Sequence, residues 1–394
     1  MAKLICLLTG AMLLLAQRPP VEEAWNLLAK GERVKAVQVL QNIIKANPRD
    51  ATARLVLGSL LAEAGERMEA LAQLGEAVRL RPRSAEAHHA LGEALRRFGE
   101  GGPARSEFEK AVALDLKFAQ ARVDLGLALL EAREFKLGAV HLDRAILLLA
   151  KKPDAAYPKY LRAKIYTENS EVAQAAAELN GAVALRPDFA EAWSDLGVAR
   201  KALLDDAGAL MAFQKSVETD AENAVAQYRL GAEYLRQGHA RQAVVHLQSA
   251  HRRNPADQST LNSLLLALRQ DGQLEESKRI KEKLAEVLRN IDQESQGAFA
   301  ALRLNNEGAA LEKAGDLRGA REKYREGLAL DPTHIGIRAN FAVASLRLGQ
   351  WAEGLSQLRE ALRREPGNAP VKAALEDALR QAPAEFRGKP SPQN

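Results

Sequence analysis

The chain has 394 residues, of which 47% are hydrophobic, 27% charged and 5% aromatic. Its 56 basic and 51 acidic side chains leave a net charge of +5, too balanced to point to a nucleic-acid partner, and one cysteine excludes a disulfide framework. Length alone would suggest two or three globular domains, unless an internal repeat lets the chain grow by addition of units.

From the N-terminus, the basic start Met1–Ala2–Lys3 precedes a charge-free run, Leu4 to Ala16 (LICLLTGAMLLLA). These 13 residues are short for a membrane-spanning helix, which needs about 20, and they suit the apolar core of a secretory signal cleaved after Ala16. Leu14 stands where a small residue is preferred, so an uncleaved anchor at residues 4–16 is the alternative, and a buried first helix the third reading. Cys6 lies inside this run, too near the start to read as a lipid-attachment cysteine. The expected location is therefore outside the cytoplasm, in the periplasm or beyond the cell.

After residue 16 a 34-residue period takes over. The pair Leu-Gly occurs at Leu57–Gly58, Leu91–Gly92 and Leu125–Gly126, then at Leu196–Gly197 and Leu230–Gly231. Gly65 and Gly99, Gly238 and Gly272, and Gly315 and Gly349 keep the same interval. So do Ala70 and Ala104, the series Ala175, Ala209, Ala243, and the pair Pro332 and Pro366, while Pro187 and Pro255 lie two periods apart. Within Ala224 to Asp257, apolar side chains at Leu230, Tyr234, Val244, Leu247 and Ala250 give one buried stripe per helix. Gly231 and Ala243 are small where two helices approach closely, Gly238 ends the first helix and Pro255 stops the second. Each unit is thus a helix, a tight turn, a second helix and a stop.

The period resembles that of the tetratricopeptide repeat family, with Trp193, Leu196, Gly197, Ala209 and Phe213 of unit 190–223 in the family's signature places. The resemblance covers the chain from near residue 20 to residue 368. It implies an all-α, right-handed α-solenoid of nine to ten helix-turn-helix units. Residues 17–50 form a degenerate unit, 51–152 three units, 156–257 three more, 258–300 a degenerate unit with an extended helix, and 301–368 two units. Three extra residues precede Ala156 and nine, Asp292 to Ala300, precede Ala301. Gln273 to Ala300 reads as one long or broken helix, a place for a bend or a division into two blocks. Ala369 to Gln381 is expected to cap the last apolar face, and 382–394 to be a disordered tail.

No stretch outside the repeats is long enough for a catalytic domain, so no enzyme activity and no cofactor are expected. Gly99 to Pro103 (GEGGP) falls on an inter-helix turn with no strand before it, which disfavours a phosphate loop. His88 and His89 point about 100° apart on a helix, and His246 and His251 miss the four-residue spacing. Partner-facing or solvated histidines, and no metal, are the expectation. The basic run Lys278, Arg279, Lys281, Lys283 alternates with Glu275, Glu276, Glu282 and Glu286, as a solvated helix face does.

By the family resemblance, the first helix of each unit lines a concave surface through its second, fifth, ninth and twelfth positions. This selects Val123, Leu127, Tyr157, Tyr160, Lys164, Val198, Tyr228, Leu235 and Leu266, a mainly apolar channel with three tyrosines. Asn305, Asn306 and Asn340 add amides, with Asn306 and Asn340 in equivalent places, but Asp124, Leu161, Asp195, Arg229 and Ser263 interrupt any asparagine ladder. The resemblance implies a non-catalytic scaffold that binds a peptide or helix of a partner protein, without nucleic acid, and touching a membrane only through an uncleaved N-terminus. The alternatives are a self-assembling spacer, or homo-oligomer, and the substrate-recruiting subunit of a separate enzyme.

Overall fold

The computed structural model describes residues 19–150 and 152–386. Among these, every regular element is helical. In chain order the α-helices are α1 (Pro19–Ala29), α2 (Arg33–Ala46), α3 (Ala51–Ala64), α4 (Arg67–Leu80), α5 (Ala85–Arg97), α6 (Gly101–Leu114), α7 (Ala119–Glu131), α8 (Phe135–Leu149), α9 (Ala156–Glu168), α10 (Val172–Leu185), α11 (Ala190–Ala202) and α12 (Asp206–Thr219). There follow α13 (Ala224–Arg236), α14 (Ala240–Arg253), α15 (Gln258–Gln270), α16 (Leu274–Lys313), α17 (Leu317–Leu330), α18 (Ile335–Arg347), α19 (Trp351–Arg364) and α20 (Ala369–Gln381). The run read as a signal, Cys6 with it, and the last residues of the tail, 387–394, lie outside the described residues. No described helix is long and apolar enough to cross a membrane.

The described helices form two compact units, α1 to α12 and α13 to α20, divided between residues 221 and 222. The division falls between α12 and α13. In the first unit six antiparallel pairs stack in chain order, each pair packed on the next. In the second, α13 pairs with α14, α15 with the start of α16, the end of α16 with α17, and α18 with α19, while α20 closes the stack.

Two positions recur among the pairs. One is the residue after the first helix, where the chain turns in the left-handed region: Gly31, Gly65, Gly99, Gly238, Gly272, Gly315 and Gly349 have φ between 76° and 90°. Arg133, Ser170 and Leu204 take the same place at φ 60°, 62° and 62°, so three turns hold a side chain where glycine is favoured. The other is the glycine of the Leu-Gly pair, which meets a large residue of the second helix. A Cβ added to Gly197 would lie 2.4 Å from the Phe213 ring, one at Gly92 2.7 Å from Phe108, and one at Gly231 2.7 Å from Leu247. Phe108 and Leu247 are fully buried, as are the alanines that precede them in the second helix, Ala104 and Ala243. The helix starts are capped where the sequence supplies a cap. Asp50 accepts from the backbone N–H of Thr52 and Ala53, Asn223 from Val225 and Ala226, and Asp257 from Thr260.

Two features differ from the sequence reading. The helix that begins at Leu274 does not end near residue 300. It runs 40 residues to Lys313, so the second helix of one pair and the first helix of the next are one rod. No proline interrupts Asp292 to Ala300, and side-chain pairs one turn apart, such as Gln296 with Asp292 and Arg303 with Glu307, bridge the junction. The start of the expected tail is ordered: Ala382 is fully buried, and Phe386, on a 3-10 turn at Ala384–Phe386, packs against the cluster of Leu355, Leu358 and Val371. The basic run of α16 is solvated, with Lys278 and Arg279 pairing to Glu275 and Glu276 on an exposed face.

Two substitutions check this account. Leu204→Gly relieves the left-handed residue and is expected to stabilise the chain by about 0.5–1 kcal/mol in denaturant titration. Gly197→Ala forces the buried Phe213 ring aside and is expected to cost about 1–3 kcal/mol by the same assay.

Candidate functional site

The first helices of successive pairs approach one another, α3 with α5 and α7 with α9 in the first unit, α13 with α15 and α16 with α18 in the second. The second helices are set further apart. The first helices therefore form the inner face of each stack, and the side chains singled out in the sequence lie on them.

In the first unit, Tyr157 and Tyr160 are half-buried on α9, their rings 6.3 Å apart, and Tyr160 packs at 4.9 Å against Phe189. The Arg186 guanidinium stacks 3.6 Å from the Phe189 ring. Lys164 is exposed one turn beyond Tyr160, its ammonium 5.3 Å from that ring. The Tyr160 hydroxyl donates to Asp195 of α11 at 3.2 Å. Burial first, and then the Asp195 charge and this hydrogen bond, push the phenol well above its usual range. Val198 is 45% exposed on α11, whereas Val123, 1% exposed, belongs to the core and not to a surface. Leu127 is partly buried against the cluster of Leu142 and Leu161.

In the second unit Tyr228 and Leu235 are half-buried on α13, and Leu266 is 49% exposed on α15. The bonded asparagines are not Asn306 and Asn340, which hold equivalent places in two successive repeats. Asn340 donates to Asn305 at 2.9 Å, and Asn306 points to solvent.

That bond is one of a series. His89 of α5 bonds Asp124 of α7 at 2.7 Å, Tyr160 bonds Asp195, and Asn340 bonds Asn305, each pair 35 residues apart. The fifth position of one unit thus reaches the sixth position of the next. Groove-facing side chains are in part spent on joining the repeats.

A second series explains the histidines. The fourth residue of the first helix bonds the residue 19 further on, in the second helix: Arg54 with Gln73 at 2.6 Å, His88 with Glu107 at 2.5 Å, Arg122 with His141 at 3.4 Å, Lys159 with Glu178 at 3.1 Å, and Gln227 with His246 at 2.9 Å. The same fourth residue also donates to a carbonyl six residues back. Arg54 reaches Pro48, Arg122 reaches Leu116 and Trp193 reaches Pro187, and His88 lies 3.1 Å from the carbonyl oxygen of Pro82. His88 therefore replaces an arginine in a structural role, and it is buried rather than solvated or partner-facing.

His89 is buried as well, at 2% exposed. Its ring touches Phe108 and Phe118, at 5.7 and 4.9 Å. Burial alone would lower its pKa, but the hydrogen bond and charge of Asp124, with Glu93 beside it, hold the imidazole above its usual range. Burial also raises the Glu93 carboxyl, and the Asp124 charge adds to that effect against the pull of His89. Sequence inspection missed this group because its members belong to two units. The signal was the 35-residue offset between a polar fifth position and a polar sixth.

Residues 27–95 and 311–382 match the family model described as tetratricopeptide repeat. A solved structure from a functional characterization of Pseudomonas aeruginosa pilF is 19% identical, with a TM-score of 0.50, covering 55% of this chain and 98% of that one. A tetratricopeptide repeat protein from Parabacteroides merdae is 16% identical, with a TM-score of 0.48, covering 63% and 97%. YrrB, a tetratricopeptide protein with an unusual peptide-binding site, is 21% identical, with a TM-score of 0.39, covering 48% and 95%. No relative among the curated proteins matches the chain. The family match bears on the repeats that the chain carries, and the likeness to the pilF structure on the fold.

The inter-repeat bonds can be tested without a partner. A double-mutant cycle of Tyr160→Phe and Asp195→Asn is expected to give a coupling energy of about 1 kcal/mol in denaturant titration, discounted for partial exposure from the range for bonds to charged groups. A coupling near zero would remove this bond from the forces that join α9 to α11.

Proposed function

We propose that this chain, which carries tetratricopeptide repeats, is a non-catalytic scaffold that binds a peptide or helix of a partner protein against its first helices. The observation that carries the reading is the composition of that inner face in the first unit. Half-buried tyrosine rings at Tyr157 and Tyr160 sit beside an exposed ammonium at Lys164 and an exposed aliphatic at Val198. Rings fixed by Phe189 and Asp195 offer apolar area without an ordering cost on binding, and Lys164 adds a charge that selects the ligand. In the second unit Tyr228, Leu235 and the exposed Leu266 offer a similar surface. YrrB is a tetratricopeptide protein with a peptide-binding site, which is consistent with this use of such repeats.

Export to the periplasm or the exterior is part of the proposal, and it rests on the run Leu4 to Ala16 alone. Self-assembly has one observation in its favour. Leu288, Ile291, Phe299 and Leu302 of α16 are 43%, 46%, 75% and 42% exposed, a density of apolar side chains that a second copy would cover. Sedimentation at rising concentration decides that reading.

The binding proposal is tested by crosslinking pulldown with a variant that alters only exposed positions, Lys164→Glu with Val198→Glu and Leu266→Glu. A partner captured by the wild type and lost with the folded variant supports it. Identical capture by both overturns it.

A further inference from the structure

We infer that His89, Glu93 and Asp124 form a binding site for a divalent transition-metal ion on the inner face of the first unit. His89 and Glu93 lie one turn apart on α5, and Asp124 reaches them from α7. One donor atom from each falls within 4.8 Å of the others. The His89 Nε2 to Asp124 Oδ2 distance is 2.7 Å, and His89 Nδ1 lies 3.8 Å from Glu93 Oε2. Donors at about 2.0–2.2 Å from a tetrahedral ion stand about 3.3 Å apart, and an ion takes only one of the two ring nitrogens, so binding draws both carboxylates to that edge of the imidazole.

The donor set fixes the class of ion. One imidazole nitrogen with two carboxylates suits zinc or cobalt, whereas calcium and magnesium ask for six or more oxygens. The site also has the features of a built one. His89 and Asp124 are closed off, with side chains 3% and 6% exposed, while Glu93 at 33% gives a path for entry. Gln120 donates to Asp124 Oδ2 at 3.0 Å and so fixes the orientation of that carboxylate. Phe108 and Phe118 hold the imidazole plane. Asp124 and Glu93 bring two carboxylate oxygens within 4.8 Å of each other and of an imidazole nitrogen, and an ion would offset both charges. Arg96 and Arg97 act on Glu93 through space and oppose the ion, which limits its affinity.

The other polar joints between fifth and sixth positions contain no such triad. Tyr160 with Asp195 and Asn305 with Asn340 bring no imidazole to the joint. Three protein donors leave a coordination position for water or for a group of a bound ligand. The ion would join α5 to α7 across a repeat boundary, so its binding is expected to raise the unfolding midpoint. This inference does not depend on the partner-binding proposal, because its test uses the chain alone.

The test is titration of the full, untagged, metal-free chain with cobalt chloride, followed by visible absorption, and with zinc chloride, followed by calorimetry. The expected result is one ion per chain, visible cobalt bands, and a higher melting temperature with zinc. Glu93→Gln, at a partly exposed position, is expected to keep the helical circular dichroism and lower affinity at least about tenfold. Asp124→Asn is expected to do the same, and His246→Gln, in the other unit, to change nothing. Absent bands and absent heat would overturn the inference. So would wild-type affinity in the Glu93→Gln chain, or loss of binding in His246→Gln.

Discussion

Most helix pairs close where the backbone of the first helix comes into contact with a large side chain of the second. At Gly92, Gly197, Gly231 and Gly308 there is no room for even one carbon atom, because Phe108, Phe213, Leu247 and Tyr324 fill the space. This contact sets the distance between the two helices, and so the shape of the apolar edge offered to the next pair. A solenoid unit cannot bury that edge alone, so stability is a sum over neighbours. Where the glycine is replaced by Ala163 or Ala342, the residue is still small and still buried, whereas α15 has Leu265 in that place. Where a glycine or alanine holds this place, the contact recurs although the surface residues differ.

This contact was legible in the sequence because it demands one residue type. A glycine beside a leucine, recurring every 34 residues, has little other cause. The left-handed turn was legible for the same reason, and less so at Arg133, Ser170 and Leu204, where the backbone is held in place by the helices on either side. The polar joints were not legible. Arg54 with Gln73, His88 with Glu107 and Gln227 with His246 share a geometry and no residue identity, since any donor and acceptor of suitable length satisfy it. Only the constant offset marks them, and an offset is visible once the contact is known. The fused helix α16 escaped for another reason. Nine inserted residues without proline add two and a half turns as easily as they add a loop, and the period gives no information inside an insertion.

The same joints divide the inner face into two kinds of side chain. Fifth and sixth positions are committed to the bonds between repeats, as His89, Asp124, Tyr160, Asn305 and Asn340 are. Ninth positions such as Lys164, Val198 and Leu266 are exposed. A ligand laid along the first helices would meet a framework that is already hydrogen-bonded and a row of exposed groups that is not uniform. Preorganisation comes from the first kind and selectivity from the second. For this reason a substitution at Tyr160 confounds folding with recognition, while one at Lys164 or Val198 separates them.

The group at His89 stands at the meeting of these two roles. As a joint it needs one donor and one acceptor, and His89 with Asp124 supplies them. Glu93 makes no bond in that joint and sets a second carboxylate within 4.8 Å of the same group. In the joint alone Glu93 lies 3.8 Å from the other ring nitrogen of His89 and adds only its charge to that imidazole. A cation does have a use for it, because the same two charges that disfavour the empty arrangement favour the filled one. The fifth-to-sixth position bond is therefore the framework on which a binding site can be built by a single added residue, one helical turn along.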